Sequence, residues 1–80
     1  MAETTIRATA ADLALLAHID AGNVVDNDAA LPLLHLGAVP LDISAQVWAL
    51  YRAGWVHQLE GEDRWRLTYR GRDVMQGRAS

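Results

Sequence analysis

The sequence predicts a single α+β domain in which helices precede a two-stranded hairpin and one short helix follows it. Three local signals support this class. A helical pattern ends at Gly54, a polar turn over residues 60–63 separates two short apolar stretches, and Thr68 precedes a final helical pattern. Glycine adopts the left-handed conformation that often ends a helix, and threonine is a preferred helix N-cap. The 80 residues are enough for one such domain and no more.

The first helix should run from about Thr9 to Ala21. Thr9 is a good N-cap, and Asp12 stands three residues later, which makes a partial capping box. The pair at 22–23, Gly-Asn, is a clean stop for this helix. The apolar pair at 24–25 follows directly, and we expect it to form a short strand.

A second helix is expected within residues 28–36, with its ordered core at 31–36. Pro32 limits where this helix can begin, because proline is tolerated only in a first turn. Gly37 should end it, and residues 38–41 should form the turn that follows.

The third helix should run from about Ser44 to Ala53, with Asp42 or Ser44 as its cap. Gly54 follows at the position where glycine ends helices. Helical spacing places four apolar side chains on one face, which should point inward: Ile43, Val47, Leu50 and Tyr51.

Two strands are expected next, over residues 55–59 and 64–68. Four residues separate them and include Gly61, which is enough for a hairpin loop. Thr68 should then cap a last helix over residues 69–76, with Val74 and Met75 folding back onto the core.

Composition sets the limits of the domain. We expect a folded unit at residues 9–76, a flexible N-terminus at 1–8 and a frayed tail at 77–80. An apolar fraction of 51% suffices for a packed core. The chain has no cysteine, so it has neither a disulfide nor a thiolate metal site, which fits a reducing cytoplasm. No apolar run approaches the ~20 residues of a membrane span. The start of the chain lacks the basic segment of a signal peptide, which also favours the cytoplasm.

Enzymatic function is not expected. The three histidines have no metal-binding spacing, and no phosphate loop or catalytic triad is present. We therefore predict no metal, no cofactor and no catalytic residues.

The charge is unevenly distributed. Residues 1–51 hold one arginine and six carboxylates, a net charge of −5, whereas residues 52–80 hold six arginines and four carboxylates, a net charge of +2. This asymmetry suggests an interaction face in the second half. All seven basic residues are arginine, which suits planar contacts to phosphate, guanine or carboxylate. The codon bias of a GC-rich genome would give the same preference for arginine.

The second half resembles a known family. The pattern combines Ile43-Ser44, Val47, Leu50, Ala53-Gly54-Trp55-Val56 and the run from Arg64 to Arg72, which contains Leu-Thr-x-x-Gly-Arg. It resembles the winged helix-turn-helix of MarR- and PadR-like bacterial regulators, and it is similar to small phage and plasmid repressors that keep only the winged core. The resemblance covers residues 9–76. It implies a three-helix core, a β-hairpin wing and a short C-terminal helix.

The resemblance implies duplex DNA binding as a small transcriptional regulator, such as a repressor. The recognition helix, about 44–53, would enter the major groove, and the wing, about 55–68, would touch the DNA backbone. A homodimer on a symmetric site would enlarge the footprint. The DNA-binding residues implied are Ser44, Gln46, Trp48 and Arg52 on the helix, Arg64 and Arg66 on the wing, and Arg70 and Arg72 beside the last helix.

The alternative is a protein–protein interaction module. Ala45 and Ala49 give the third helix few donors on its outward face, and the wing tip carries three carboxylates, Glu60, Glu62 and Asp63. Both features suit a protein partner docked on the acidic face or on the Ala/Trp face of that helix. Trp48 has three possible placements: a partner or dimer contact, the core, or a DNA contact. Trp55 and Trp65 are expected in the core.

Overall fold

The computed structural model describes residues 8–77, and its class is α+β, as predicted. The described part of the chain contains three helices and five short strands. In chain order these are α1 (Ala10–Asp20), β1 (Val24–Asp26), β2 (Pro32–Leu34), β3 (Leu41–Asp42), α2 (Ser44–Arg52), β4 (Val56–Gln58), β5 (Trp65–Leu67) and α3 (Tyr69–Met75).

The strands form two antiparallel sheets that meet edge to edge. One has the order β1-β2-β3 and the other is the β4-β5 hairpin. A bridge between Val25 and Arg64 joins β1 to the start of β5, and the backbone N–H of Asp26 donates to the carbonyl of Asp63 at 2.7 Å. Helix α1 packs on β5 and α3, while α2 packs on β4 and β2.

The Asp26 carboxylate ties the two sheets together. It accepts a hydrogen bond from Trp65 Nε1 at 2.7 Å and another from Gln58 Nε2 at 2.9 Å. Both bonds are partly buried. A charged acceptor strengthens such bonds, so this one side chain supports the junction of β1 with the hairpin.

All three helices and both sheets contribute to the hydrophobic core. Trp55 and Trp65 are buried, as predicted, with 3% and 2% of their surface exposed. The other buried apolar residues are Leu15, Leu16, Ile19, Val24, Pro32, Leu34, Val47, Leu50 and Val56.

The predicted start and end of α1 are confirmed. Thr9 Oγ1 accepts from the backbone N–H of Asp12 at 3.0 Å, and Asp12 Oδ2 accepts from the N–H of Thr9 at 2.9 Å. This reciprocal pair is a complete capping box. Gly22 follows the helix with φ +86°, the conformation that glycine adopts most easily.

The prediction of a helix over residues 31–36 is wrong, because that segment forms β2 and a bend. Asn27 Oδ1 accepts from the N–H of Ala29 at 2.9 Å and from that of Leu31 at 3.0 Å. This turn reverses the chain and pairs β2 with β1, so that Val24 lies opposite Leu34. The described chain therefore has three helices where four were predicted, and a β-meander precedes α2.

Helix α2 begins where predicted, but its N-cap residue is Ile43, which forms no side-chain capping bond, and not Asp42 or Ser44. The Asp42 carboxylate instead binds the first residue of the helix. Asp42 Oδ1 accepts from the Ser44 hydroxyl at 2.5 Å and from the Ser44 N–H at 2.9 Å. The hydroxyl bond, together with the backbone bond, lowers the pKa of Asp42 below its ordinary value. Val47 and Leu50 are buried as predicted, but Tyr51 is half exposed, because its ring lies at the border of the core.

The bounds of the hairpin strands and of α3 lie within about one residue of the predicted bounds. Thr68 Oγ1 accepts from the N–H of Gly71 at 3.0 Å and donates to the carbonyl of Gly54 at 2.7 Å. The N–H of Thr68 donates to the carbonyl of Trp55 at 3.0 Å. A Cβ on Gly71 would lie 1.9 Å from that same carbonyl oxygen. The Leu-Thr-x-x-Gly pattern therefore fastens α3 to the junction of α2 and β4. As predicted, Val74 and Met75 pack against the core.

No helix within residues 8–77 combines the length and the apolar character needed to cross a membrane. The predicted flexible N-terminus and frayed tail lie, apart from residues 8 and 77, outside the described residues.

Candidate functional site

One face of α2 is open to solvent along its whole length. Its exposed residues are Ala45, Gln46, Trp48, Ala49 and Arg52. Ser44 at the start is partly buried, and its hydroxyl hydrogen is engaged by Asp42. Its oxygen can still accept a hydrogen bond from a ligand. This face is the one that the predicted recognition helix would present.

Three rings pack edge to face beside this surface, and we call them the aromatic cluster: Trp48, Tyr51 and Trp65. The Trp48 ring centroid lies 5.4 Å from that of Trp65 and 5.7 Å from that of Tyr51, with both interplanar angles at 88°. Trp65 is buried, but Trp48 is 39% exposed and Tyr51 is 50% exposed. Trp48 therefore lies at the border of the core and keeps one part of its ring accessible.

Arg52 and Arg70 lie at the C-terminal end of α2. Arg52 is in its last turn, and Arg70 Nη1 lies 3.8 Å from the position that a Cβ on Gly54 would occupy. Cations are favoured there, because the carbonyls at the end of a helix carry partial negative charge. Within residues 8–77, neither guanidinium pairs with a carboxylate.

The other three predicted arginines of the described chain line one shallow cleft, which we call the arginine cleft. Arg64, Arg66 and Arg72 surround it together with Ile19, Asp20 and Leu67, and its volume is about 100 Å³. It lies where the end of α1 meets β5 and α3.

Carboxylates hold two of these arginines. Arg66 Nε donates to Glu62 Oε1 at 2.7 Å and Arg66 Nη2 donates to Glu62 Oε2 at 3.2 Å. This bond lowers the pKa of Glu62 and raises that of Arg66, so both groups keep their charge near neutral pH. Arg72 Nη1 lies 3.4 Å from Asp20 Oδ1.

The predicted site residues therefore fall into two groups. Successive side chains of a strand point to opposite faces, and Trp65 faces the rings of α2. Arg64 and Arg66 consequently lie on the other face of β5, away from the aromatic cluster. The first group is the α2 face with Arg70, and the second is the arginine cleft. The structure does not bring the two groups together into one surface.

Several contributing residues were not predicted. Asp20 was not linked to any arginine, and no local signal could have linked it, because Arg72 is 52 residues away along the chain. The carboxylate of Asp26, which joins the two sheets, was likewise not predicted to contact Gln58 or Trp65. Within residues 8–77, no three metal-binding side chains come together.

Comparison of the chain with models of known protein families, with curated proteins and with solved structures finds no match in any of the three.

Proposed function

We propose that the protein binds duplex DNA as a small transcriptional regulator, with the exposed face of α2 in the major groove. The observation that carries the proposal is the presence of Arg52 and Arg70 at the C-terminal end of α2, where no carboxylate of the described chain neutralises them. The hairpin that directly follows α2 supports it, because a winged helix has the same order of elements.

The α2 face suits a small set of DNA contacts. Gln46 pairs with adenine, and the methyl groups of Ala45 and Ala49 contact thymine methyls. Arg52 and Arg70 bind phosphates. Arg66 contributes only if it exchanges Glu62 for a phosphate, because its guanidinium is already held.

The salt dependence of binding tests this division. Two phosphate contacts per chain predict a slope of about −2 in log K against log salt concentration. A wing that also bound through Arg64 and Arg66 would steepen the slope to about −4. Fluorescence anisotropy with a random-sequence duplex pool, at low and at near-physiological salt, measures both the binding and the slope.

Charge-matched variants place the surface. Arg52→Ala and Arg70→Ala should each weaken binding at low salt, whereas Arg72→Ala removes the same charge from the arginine cleft and should have little effect. Equal losses in all three variants would show only a general charge effect and would refute the α2 face. No binding by the parent protein at low salt would refute the function itself.

A protein-interaction module is the second candidate, and the aromatic cluster favours it. Trp48 and Tyr51 are adjacent, half exposed and supported from below by a buried ring. Half-exposed aromatic residues of this kind are common at protein interfaces. Sedimentation of the parent and of Trp48→Ala tests self-association through this surface. A concentration-dependent dimer that the variant loses, together with absent DNA binding, would favour this candidate.

A further inference from the structure

We propose that the arginine cleft and the cavity beside it bind a small phosphate monoester with a planar organic group, such as a nucleoside monophosphate. The proposal does not depend on DNA binding by α2. Its support is the charge, the free donors and the shape of the two cavities.

The cleft carries an excess of positive charge. Three guanidinium groups line it, and the two carboxylates bonded to them are Asp20 and Glu62, so the local net charge is +1. An anion in the cleft would neutralise this excess.

The arginines are held in place but keep free donors. Arg66 uses Nε and Nη2 for Glu62, which leaves Nη1 free, and Arg72 uses only Nη1 for Asp20. Each guanidinium has five N–H donors, so several remain for an oxyanion. Side chains fixed by neighbouring carboxylates lose less conformational entropy when they bind a ligand.

Gly22 lets Arg64 lie close to the end of α1. The Nε and Cζ atoms of Arg64 each lie 3.3 Å from the position that a Cβ on Gly22 would occupy. Any side chain there would crowd the guanidinium. Within residues 8–77 the Arg64 guanidinium forms no ion pair, so no carboxylate at bonding distance competes with a ligand for its donors.

The sizes of the two cavities define the ligand. The arginine cleft, at about 100 Å³, has room for a few waters or a small tetrahedral oxyanion. The neighbouring cavity has a volume of about 310 Å³ and is lined by His57, Leu67, Thr68, Tyr69 and Arg72. Leu67 and Arg72 line both. A phosphate in the cleft would therefore place an attached organic group in the second cavity.

Tyr69 supplies a surface for a planar group. The residue is 91% exposed, and it contributes to the lining of the second cavity at the start of α3. Aromatic side chains stack on nucleobases with little dependence on sequence. A nucleoside monophosphate combines the anion and the planar ring that these two cavities suit.

Titrations monitored by NMR would test the proposal on the whole chain. Inorganic phosphate, adenosine monophosphate and adenosine are each added, and the arginine Nε–Hε signals are followed. We expect shifts at Arg64, Arg66 and Arg72, tighter binding of the monophosphate than of phosphate, and no shift of these signals with adenosine. No shift with either phosphate compound at millimolar concentration would overturn the proposal. Equal affinity for the two would overturn the assignment of the second cavity.

Matched variants locate the site and separate it from DNA binding. Arg64→Gln should bind the monophosphate at least about tenfold more weakly, because a charge-assisted contact is lost. Tyr69→Ala should weaken the binding of the monophosphate but not the binding of inorganic phosphate. Arg52→Gln should leave both affinities unchanged while it weakens duplex binding. If Arg64→Gln kept the parent affinity, the cleft would not be the site, whatever the outcome with DNA.

A duplex competition experiment distinguishes the source of the phosphate. A saturating oligonucleotide duplex should not displace the monophosphate from the arginine cleft if the ligand is a small molecule. If the duplex displaces the monophosphate from the parent and also from Arg52→Gln, the cleft binds the DNA backbone. That result would overturn the small-molecule proposal.

Discussion

Replacing Gly71 by alanine should destabilise the protein strongly, although alanine is the better helix former. The added Cβ would lie 1.9 Å from the Trp55 carbonyl oxygen and 2.8 Å from the carbonyl carbon. Both are backbone atoms of the residue just before β4, so no side-chain rotation relieves the contact. Helix α3 must therefore move away from the junction of α2 and β4.

The magnitude follows from what this movement breaks. A separation of 3.0 Å requires about 1.1 Å of displacement. The hydrogen bonds of Thr68 to Trp55 and Gly54, at 3.0 and 2.7 Å, would then be lost. They contribute about 1 kcal/mol each, and overpacking costs a further 1–3 kcal/mol or so. Alanine regains about 1 kcal/mol of helix propensity. The free energy of unfolding should fall by about 2–4 kcal/mol.

Thermal and urea unfolding followed by circular dichroism measure this loss. For a domain of this size, Tm should fall by about 10–25 °C. Gly37→Ala is the matched control, because a Cβ there meets no atom within 4 Å. It should leave Tm nearly unchanged. A Gly71→Ala protein with the Tm of the parent would refute the close approach of α3 to β4.

Three further predictions concern single polar side chains. Asp26→Ala removes the acceptor of two partly buried hydrogen bonds, so the free energy of unfolding measured in urea should fall by about 2–3 kcal/mol. Asp28 is exposed, and Asp28→Ala should change this free energy by less than about 0.5 kcal/mol. Thr68→Val keeps the shape of the side chain but loses the cap and the bond to a backbone carbonyl, so urea unfolding should show a loss of about 1–2 kcal/mol. Folding lowers the pKa of Asp42, so its contribution is present above its ordinary pKa of 3.8 and disappears as the pH falls through the lower folded value. Asp42→Ala should therefore destabilise the protein near neutral pH and match the parent in strongly acidic buffer; a constant difference across that range would contradict this linkage.

The elements that the sequence predicted correctly have local causes. The capping box of Thr9, the glycine after α2 and the Thr68 cap each depend on residues at most four positions apart. The α+β class and the hairpin followed from these signals.

The segment before α2 was mispredicted because its leucines fit two periods. Leu31, Leu33, Leu34 and Leu36 suit a helix as well as a strand, and Pro32 is tolerated at the first residue of either. The Asn27 side chain decided the outcome, since it closes a turn by accepting two backbone N–H groups. The sequence did contain a signal for this turn, since Asn27 stands between Asp26 and Asp28 and such residues favour turns.

The candidate site could be predicted only in its residue types. The arginine content of the second half indicated an anionic ligand, but the division of the arginines depends on long-range geometry. Strand alternation sends Arg66 to one side of β5, and Arg72 meets Asp20 only after α1 and α3 have packed. No spacing in the sequence encodes that second contact.

The Asp26 carboxylate has a consequence for the lifetime of the native state. It binds Trp65 across 39 residues of chain, so its bonds close one of the longer loops of the fold. We expect this contact to form after the rate-limiting step of folding, because closing so long a loop costs chain entropy. We therefore expect Asp26→Ala to accelerate unfolding in stopped-flow experiments and to leave the refolding rate nearly unchanged. The time that the native protein survives before it opens to a protease would then depend on one carboxylate at the edge between two sheets.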